Sequence, residues 1–484
     1  MNEKRPLLLH NARLVVPGQA TRAELPAGAV LIDGDRIAAV LTDRAEIAAA
    51  TAAERIDLAG RIVMPGLINA HHHAYGNVLR GTENALPLEQ WALYTVAYGR
   101  SLTPAALRLA VLIGAAEMMR AGVTTVLDHF PYVRVAEAML GAYEESGMRA
   151  GFAPFIHDRF DHDILGVALP EDVRRAWEGA GPLPSDEVEQ RIRALVGAWQ
   201  GRAGRIRILL GPNAPQRCSP ELLALWRRLA VELDLHVHTH LLETLPQARH
   251  GRSTAPGGTV GEMDRLGLLN ERLSVAHAVW TLDSERELLA RRGVTVVHNP
   301  TSNFMLGSGV MPLADYRRHG IAVALGTDSA NSGGRLNMFD VMRTALMLPR
   351  PVLPSRDWPE AGAIFDMATS GGARALGLAA ETGQIARGMK ADLVVVDGGG
   401  ATMVALAPNL VGLVQHAGPE AVSAVMVDGR WVYRDGRVLA FDEAAVLAEF
   451  KSITAEITRA AQADVALATR TVPMFERLYE RNDS

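Results

Sequence analysis

The chain has 484 residues, of which 48% are hydrophobic and 21% are charged, and its formal net charge is −5. The length predicts one large α/β domain with an accessory domain, and the composition is typical of a soluble globular protein. The charge offers no basic surface for nucleic acid, and no stretch approaches the roughly 18 apolar residues of a membrane span. The only cysteine, Cys218, excludes an internal disulfide. Together with a start too weakly apolar for a secretory signal, it favours the cytoplasm.

The N-terminal region consists of short segments with alternating apolar residues, at 7–16, 29–32, 36–40 and 55–56. An Asp-Gly pair at 33–34 separates two of them, and such a pair is a strong signal for a β-hairpin turn. These segments predict short strands of a small β-domain.

The middle of the chain alternates short apolar strands with longer amphipathic stretches. Strands are predicted at 62–69, 123–128, 149–155, 206–211, 235–241, 273–277, 294–298 and 321–326. Near-continuous apolar strands are typical of parallel strands that are covered on both faces. Helices predicted at Pro104–Arg120 and Pro220–Glu232 are examples of the segments between them. Eight such units predict a distorted (β/α)8 barrel of the TIM type over residues 61–370.

Short alternating segments return at 393–396, 422–427 and 431–433, again with an Asp-Gly turn, at 428–429. Both ends of the chain therefore predict one small β-sandwich domain, built from residues 1–60 and 371–442. The last segment, 443–484, has helical spacing and is expected to pack on the outside as a C-terminal helical extension.

Candidate metal ligands stand at the ends of four predicted barrel strands, where a barrel of this kind places its active site. His71 and His73 follow the first strand, and side chains two residues apart on a strand point to the same side. His240 ends the fifth strand, His277 the sixth and Asp328 the eighth. Three histidines and one carboxylate make an open site that keeps room for water, so we predict a metal ion held by His71, His73, His240 and Asp328.

The same strand ends supply groups for proton transfer. A bound metal ion lowers the pKa of its water to about 7, which gives hydroxide at neutral pH. Asp328 can accept the proton of that water, Glu243 can protonate a ring nitrogen or the leaving group, and His277 can stabilise the attacked centre or the hydroxide. Each residue taken alone would fit a cap or a polar core position, and residues 71–73 alone would fit a polar loop.

Three histidines of the fifth strand share one face of the strand. His240 lies nearest the mouth and shortly before Glu243, so it is the predicted ligand. His236 and His238 are expected lower in the barrel, with hydrogen-bonded rings, and their roles and that of His72 stay open.

Five further residues are candidates for binding the substrate. Asn213 and Gln216 follow the fourth strand, His298 ends the seventh, and Asn303 comes shortly after it. Trp91 lies in a helix-like segment expected over the mouth. A capped turn is the alternative for the first four, and core packing is the alternative for Trp91.

Several motifs along the chain match one enzyme family. They are PGLINAHHH at 65–73, LRG at 79–81, AGVTT at 121–125, HLLE at 240–243, NPTSN at 299–303, LGTDS at 325–329, GMKADL at 388–393 and VDG at 427–429. With them the chain resembles the amidohydrolase superfamily, in the branch that contains S-adenosylhomocysteine deaminase, 8-oxoguanine deaminase and the triazine chlorohydrolases.

The resemblance implies one divalent ion, with zinc as the first choice and iron as the alternative, and proton handling by Glu243 and His277. No lysine lies between Lys4 and Lys390 to bridge a second ion. The implied activity is a metal-dependent aminohydrolase that attacks a C–N bond of a purine, pterin, pyrimidine or triazine with activated hydroxide. The alternative is hydrolytic dechlorination, or loss of an alkylamine or amide nitrogen, at the same site. A homo-oligomer is expected by analogy with the family.

Departures from the family bear on the substrate. Adenosylhomocysteine deaminases usually have a histidine and then a tyrosine after the fourth strand, where this chain has Asn213 and Gln216. Their ribose-binding glutamate corresponds to the neighbourhood of Gly99 and Arg100. A compact heterocycle is therefore expected in preference to a nucleoside with an amino-acid tail.

Overall fold

The computed structural model describes residues 6–52, 54–83 and 85–480. The ends of two predicted regions, 1–60 and 443–484, therefore lie partly outside the described residues. The division into a composite terminal domain, a barrel and an extension stays a prediction, and the strands and sheets are described as they occur.

Five strands lie in the N-terminal region, and the first four of them correspond to the predicted alternating segments. They are β1 Leu7–Leu14, β2 Ala27–Asp33, β3 Arg36–Leu41, β4 Glu54–Asp57 and β5 Ile62–Pro65. The next nine strands belong to the barrel. They are β6 Leu67–His72, β7 Val123–Phe130, β8 Arg149–Ile156, β9 Ile206–Ile208, β10 Gly211–Pro212, β11 Val237–Leu241, β12 Leu273–His277, β13 Thr295–His298 and β14 Val323–Leu325.

Four more strands follow the barrel: β15 Leu393–Val396, β16 Val422–Val427, β17 Arg430–Arg434 and β18 Arg437–Val438. Within the described residues they join β1 to β5 in a nine-stranded sheet with the order β18-β17-β16-β15-β5-β1-β2-β3, in which β4 pairs with β1. Strands from before and after the barrel therefore meet in one sheet.

The predicted first barrel strand, 62–69, is two strands in two different sheets. β5 pairs with β1 and β15 in the terminal sheet, whereas β6 pairs with β7 in the barrel. Gly66 lies at the break, where an added Cβ would lie 2.0 Å from the side chain of Thr124. At Gly66 the chain passes close to Thr124 as it leaves the terminal sheet and enters the barrel. A continuous apolar run in the sequence does not show where such a change of sheet occurs.

The barrel consists of two half-barrels of parallel strands. The first contains β6, β7 and β8, with β9 and β10 as two pieces of one strand paired to β8, and the second has the order β11-β12-β13-β14. An isolated parallel bridge between Leu210 and Val237 joins the halves on one side. On the other side the backbone N–H of Asp328 donates to the carbonyl of His71. The structure therefore confirms the predicted α/β barrel architecture.

Nineteen helices occur in the described residues, and most of them connect the strands of the barrel, whereas α1 and α18 lie between strands of the terminal sheet. They are α1 Arg44–Ala49, α2 Leu88–Gly99, α3 Pro104–Arg120, α4 Ala136–Ser146, α5 Asp161–Ile164, α6 Glu171–Glu178, α7 Ser185–Trp199, α8 Pro220–Glu232, α9 Leu245–Thr254, α10 Gly258–Arg265, α11 Asp283–Arg291, α12 Pro300–Met305, α13 Leu313–Arg318, α14 Ala330–Gly333, α15 Met338–Met347, α16 Ala361–Met367, α17 Ser370–Ala375, α18 Leu410–His416 and α19 Glu443–Thr471. The predicted bounds of α3 and α8 are confirmed. Each begins with proline, and the hydroxyl of Thr103 or Ser219 caps its free backbone N–H groups.

The C-terminal helix α19 packs against α2 and α3 on the outside of the barrel. The 3-10 segment that follows it, Val472–Leu478, turns inward, so that Phe475 is buried and lines a cavity of about 370 Å³. The last segment thus contacts the outside of the barrel through α19 and reaches the cavity through Phe475. In the part of the chain that the structure describes, no single helix is long and apolar enough to cross a membrane, and only the bent pair α2 and α3 passes by length and composition.

Candidate metal centre and active site

The predicted metal ligands meet at the mouth of the barrel. His71 lies in β6 and His73 directly follows that strand, His240 lies in β11, and Asp328 comes three residues after β14. All four side chains are buried. Their donor atoms converge because the carboxyl ends of parallel barrel strands share one end of the barrel.

The ring orientations of His73 and His240 leave two bare nitrogens facing each other. Nδ1 of His73 contacts the carbonyl of His129, and Nδ1 of His240 lies 2.7 Å from the carbonyl of Asn213. A carbonyl only accepts hydrogen bonds, so each Nδ1 carries the proton and each Nε2 presents a lone pair. These two Nε2 atoms lie 3.2 Å apart. Two nitrogen lone pairs cannot form a hydrogen bond with each other. A cation bound by both nitrogens would satisfy them.

His71 and Asp328 complete this group of donors. Nε2 of His71 has no hydrogen-bond partner among the described residues, and it lies 3.7 Å from Oδ1 of Asp328. The same oxygen lies 3.4 Å from Nε2 of His73. Burial lowers the pKa of His71, His73 and His240, so these rings are neutral, as metal ligands must be.

These residues fit a divalent metal ion. Three neutral imidazoles and one carboxylate form the donor set of an open site: the ligand atoms of His71, His73 and His240 lie within 4.8 Å of one another, and Oδ1 of Asp328 lies beside two of them. Burial would raise the pKa of Asp328, but the rings of His73 and His277 and the hydroxyl of Ser302 outweigh burial and hold that pKa below its usual value. The carboxylate is therefore available as a charged ligand.

Glu243 and His277 lie beside this centre. Oε2 of Glu243 is 3.5 Å from Nε2 of His277, which is in turn 3.9 Å from Oδ2 of Asp328. Burial and the charge of Asp328 raise the pKa of Glu243 to about 8. Glu243 therefore holds a proton at neutral pH, which suits a general acid.

The backbone at these positions is unusual. His277 and Asp328 adopt left-handed φ angles of 72° and 60°, and Leu242 and Ala278 have φ angles of 44° and 46°. Such conformations cost a residue with a Cβ atom about 1–2 kcal/mol each. Strain of this kind persists where the surrounding structure holds it and is concentrated at functional sites.

A cavity of about 370 Å³ opens next to the metal centre. Glu243, His277 and Asp328 line it, and so do two predicted substrate-binding residues, Asn213 and Trp91. Gln216 instead lines a neighbouring cavity of about 280 Å³. The structure therefore brings Asn213 and Trp91 to the site, and it places Gln216 elsewhere.

His298 and Asn303 lie behind the site. Oδ1 of Asn303 is 2.8 Å from Nδ1 of His277, so Asn303 fixes the orientation of that ring. His298 is buried near His277, and burial lowers its pKa to about 3. Neither residue lines the cavity beside the metal centre.

The remaining histidines around the centre support it. Nδ1 of His72 lies 3.0 Å from the carbonyl of Asp328, and its Nε2 lies 3.2 Å from Nδ2 of Asn77. His238 links Nδ1 of His71 to the hydroxyl of Ser274 through two contacts of 2.8 Å. His236 contacts the carbonyl of Arg272 below β11. Both rings lower in the fifth strand are hydrogen-bonded, in agreement with the sequence-based expectation.

Sequence reasoning missed three residues at this site. His129, in β7, is buried with both ring nitrogens unpartnered among the described residues, and its ring lies 4.8 Å from that of His240. The predicted strand ended at Asp128, and one residue more would have included His129. Glu89 and Phe475 also line the cavity. Nothing in the sequence distinguishes them from an acidic residue of a first helical turn and a packing aromatic residue.

The chain is similar in sequence to proteins that are named as deaminases. It is 35% identical over 450 residues to a 5-methylthioadenosine/S-adenosylhomocysteine deaminase of Nitratidesulfovibrio vulgaris strain Miyazaki F, and the match covers 92% of this chain and 96% of the relative. It is also 34% identical to a 5'-deoxyadenosine deaminase of Methanothermobacter thermautotrophicus, with coverages of 89% and 95%.

A zinc-bound adenosine deaminase of Xanthomonas campestris has a similar structure, with a TM-score of 0.83, 30% identity, and coverages of 94% of this chain and 98% of that one. The amidohydrolase family profile matches residues 62–432, which is most of the chain. The sequence, the barrel and the histidine-rich mouth of this protein agree with that match, and the chain belongs to the amidohydrolase family.

Proposed function

We propose that this protein is a metal-dependent aminohydrolase that removes ammonia from an amino-substituted N-heterocycle. The observation that carries the proposal is the cluster of three bare imidazole nitrogens, two of them beside the carboxylate of Asp328, next to a protonated Glu243. The naming of its relatives as deaminases of adenosine derivatives supports the same reaction.

His71, His73, His240 and Asp328 would hold the cation. When bound, the cation acidifies water so that the water can attack the ring carbon that carries the amino group. Asp328 is the base for the proton that this water loses, because its carboxylate stays charged. Glu243 is the acid for the ring nitrogen or the departing amine, because burial keeps its proton in place.

His277 stabilises the oxygen that adds to the ring. Its Nδ1 is fixed by Asn303, so its Nε2 is aimed at Glu243 and Asp328. A ring held in this way can exchange a proton or a hydrogen bond with the attacked centre without reorienting.

We propose an adenosine derivative as the first substrate candidate, because the named relatives act on such compounds. Tyr75, Trp91, Tyr132 and Phe155 line the cavity, and aromatic side chains suit the flat face of a purine. Asn213 stands where many adenosylhomocysteine deaminases have a histidine, so a compact heterocycle remains the proposed alternative to a nucleoside with an amino-acid tail.

Zinc is the proposed metal, because the similar adenosine deaminase binds zinc, and iron is the alternative. We also propose a cytoplasmic location and a homo-oligomer, the first from the single cysteine and the second by analogy with the family. Size-exclusion chromatography with light scattering tests the assembly.

The central experiment combines metal analysis with an ammonia-release screen. Protein purified without added metal is analysed by mass spectrometry for zinc and iron, and is then assayed on adenosine derivatives, free aminopurines, pterins, cytosine and aminotriazines. We expect one metal ion per chain and ammonia release from at least one purine. Chelator-treated protein, with and without added zinc, is the control. Ammonia release that does not depend on the metal would contradict the proposal.

A further inference from the structure

Glu89 is a buried carboxyl group in the active-site cavity that the proposed reaction does not use. It lies in the first turn of α2, is 2% exposed, and lines the same cavity as Glu243. Burial raises its pKa to about 7. A carboxyl group removed from water needs hydrogen-bond partners, and its two oxygens differ in this respect.

One oxygen of the Glu89 carboxyl group accepts two hydrogen bonds. Oε1 accepts a hydrogen bond of 2.6 Å from the hydroxyl of Thr244 and one of 3.3 Å from Nε2 of Gln247. Oε1 of Gln247 in turn accepts from the backbone N–H of Glu243, at 3.1 Å. Three hydrogen bonds and the peptide bond between Glu243 and Thr244 therefore tie Glu89 to the residue that handles the proton of the reaction.

The other oxygen, Oε2, has no hydrogen-bond partner among the described residues. Arg217 is the nearby cation, but its guanidinium is already engaged by Asp161 and by the side-chain oxygen of Asn213. A purely structural role for Glu89 would explain Oε1 and would leave Oε2 unsatisfied. A ligand in the cavity is the partner that would satisfy it.

We propose that Glu89 is a specificity-determining residue whose Oε2 accepts a hydrogen bond from an N–H group of the substrate ring or of a second amino substituent. The inference rests on the proposed function and deepens it. Glu89 and Glu243 line the same cavity and are joined through Thr244 and Gln247, so the proposed contact lies on the side of the heterocycle that faces Glu243. The substrate class is an N-heterocycle that carries a hydrogen-bond donor besides the amino group it loses.

Glu89→Gln is the decisive variant because its geometry is determined in advance. Thr244 and Gln247 both donate to the position of Oε1, so the amide oxygen must take that position. The amide NH2 then takes the position of Oε2 and turns an acceptor into a donor. The enzyme should then prefer the analogue that offers a hydrogen-bond acceptor to the analogue that offers a donor.

The test uses pairs of aminopurines in which one member carries a second amino group, a donor, and the other carries a methoxy group, an acceptor without a ring N–H tautomer, at the same ring position. The pairs are 2,6-diaminopurine with 2-methoxyadenine, and 8-aminoadenine with 8-methoxyadenine, each as the base and as the riboside. Both ammonia release and binding to the metal-loaded protein are measured, in mildly alkaline buffer so that Glu89 is ionised. We expect the wild type to favour the amino member of at least one pair by about tenfold or more, and Glu89→Gln to reverse that order.

Thr244→Val is the matched control, because it removes the hydroxyl that holds Oε1 and leaves Oε2 unchanged. It should slow all analogues by one factor and keep the order within each pair. Glu89→Asp shortens the side chain and moves its free carboxylate oxygen away from the substrate. This variant should lose the preference for the amino member of a pair without reversing it. Thermal unfolding of each variant shows that it is folded.

The outcomes separate the two proposals. If Glu89→Gln slows all analogues by the same factor, as Thr244→Val is expected to do, then Glu89 only supports the backbone around Glu243. That result would overturn the inference. A reversed order of binding without ammonia release from any analogue would keep the assignment of Glu89 and refute the deaminase. If no analogue binds to or reacts with the wild type, both fail.

Discussion

An ion-pair cluster at the base of the barrel and the group of histidines at its mouth treat buried polar groups in opposite ways. At the base, Arg149 begins β8 and is 2% exposed, and its guanidinium bonds to Asp392 at 2.7 and 3.1 Å and to Asp428 at 3.2 Å. It also donates to the carbonyl of Gly204. Lys390 adds a second cation, 3.1 Å from Asp428. Charges and hydrogen bonds there are matched, and they join the barrel to the terminal sheet.

At the mouth, buried groups are left unmatched. Nε2 of His71 and of His277 lack partners among the described residues, and Nε2 of His73 faces Nε2 of His240. An unsatisfied buried polar atom costs about 1–3 kcal/mol. The contrast teaches where stability and function lie: the base stabilises the fold, whereas the mouth keeps lone pairs for a ligand. Substitutions at the two ends should therefore have different effects.

The largest effect should come from the metal ligand that carries charge. Asp328→Ala removes the only anionic donor of the predicted set, so metal content and ammonia release should both fall to background. Metal analysis beside the activity assay tests this. Retention of both would show that the ligand assignment is wrong.

Glu243→Gln should separate the metal from the chemistry. The amide cannot deliver a proton, so kcat should fall by about 10²- to 10⁴-fold while the metal stays bound. The rate is measured at saturating substrate, with metal content as the control. An unchanged kcat would remove Glu243 from the proton transfer.

At the base, Arg149→Met should act on stability alone. It leaves Asp392 and Asp428 buried near an apolar side chain, and breaking a buried ion pair costs about 3–5 kcal/mol. Chemical denaturation should show the lower free energy of unfolding, and kcat of the folded enzyme should not change. A loss of kcat comparable to that in Glu243→Gln would refute the division of roles between the two ends.

The smallest effect should come from a support of the ligand. The hydroxyl of Ser302 donates to Oδ2 of Asp328. Ser302→Ala should weaken metal affinity by about 10- to 100-fold, as is usual for residues that orient a ligand. Titration with zinc under a competing chelator measures this. An affinity equal to that of the wild type would show that Asp328 is held without Ser302.

The sequence predicted the eight-unit barrel and the meeting of the termini, because parallel buried strands and Asp-Gly hairpins have strong local signals. It also placed His71, His73, His240 and Asp328 at strand ends, where the structure brings them together. Local signals could not reveal the change of sheet at Gly66, because a close approach to Thr124 is a tertiary contact.

The same limit applies to the cavity. Gln216 follows its strand as Asn213 does, but the chain turns between them and places it in a separate cavity. Phe475 reaches the site from the far end of the chain, and Glu89 acquires its role through Thr244 and Gln247. Contacts between residues so distant in sequence leave no periodic pattern.

The middle histidine of the HHH motif has a further consequence. His72 bonds to the carbonyl of Asp328, and the carbonyl of His71 accepts from the backbone N–H of Asp328. The ends of the first and last strands are thus joined by the residues that flank and form the cation site. Binding of the ion should therefore tighten the barrel where its first and last strands meet, and removal of the ion should loosen it there. Amide hydrogen exchange at these two strand ends would measure the change.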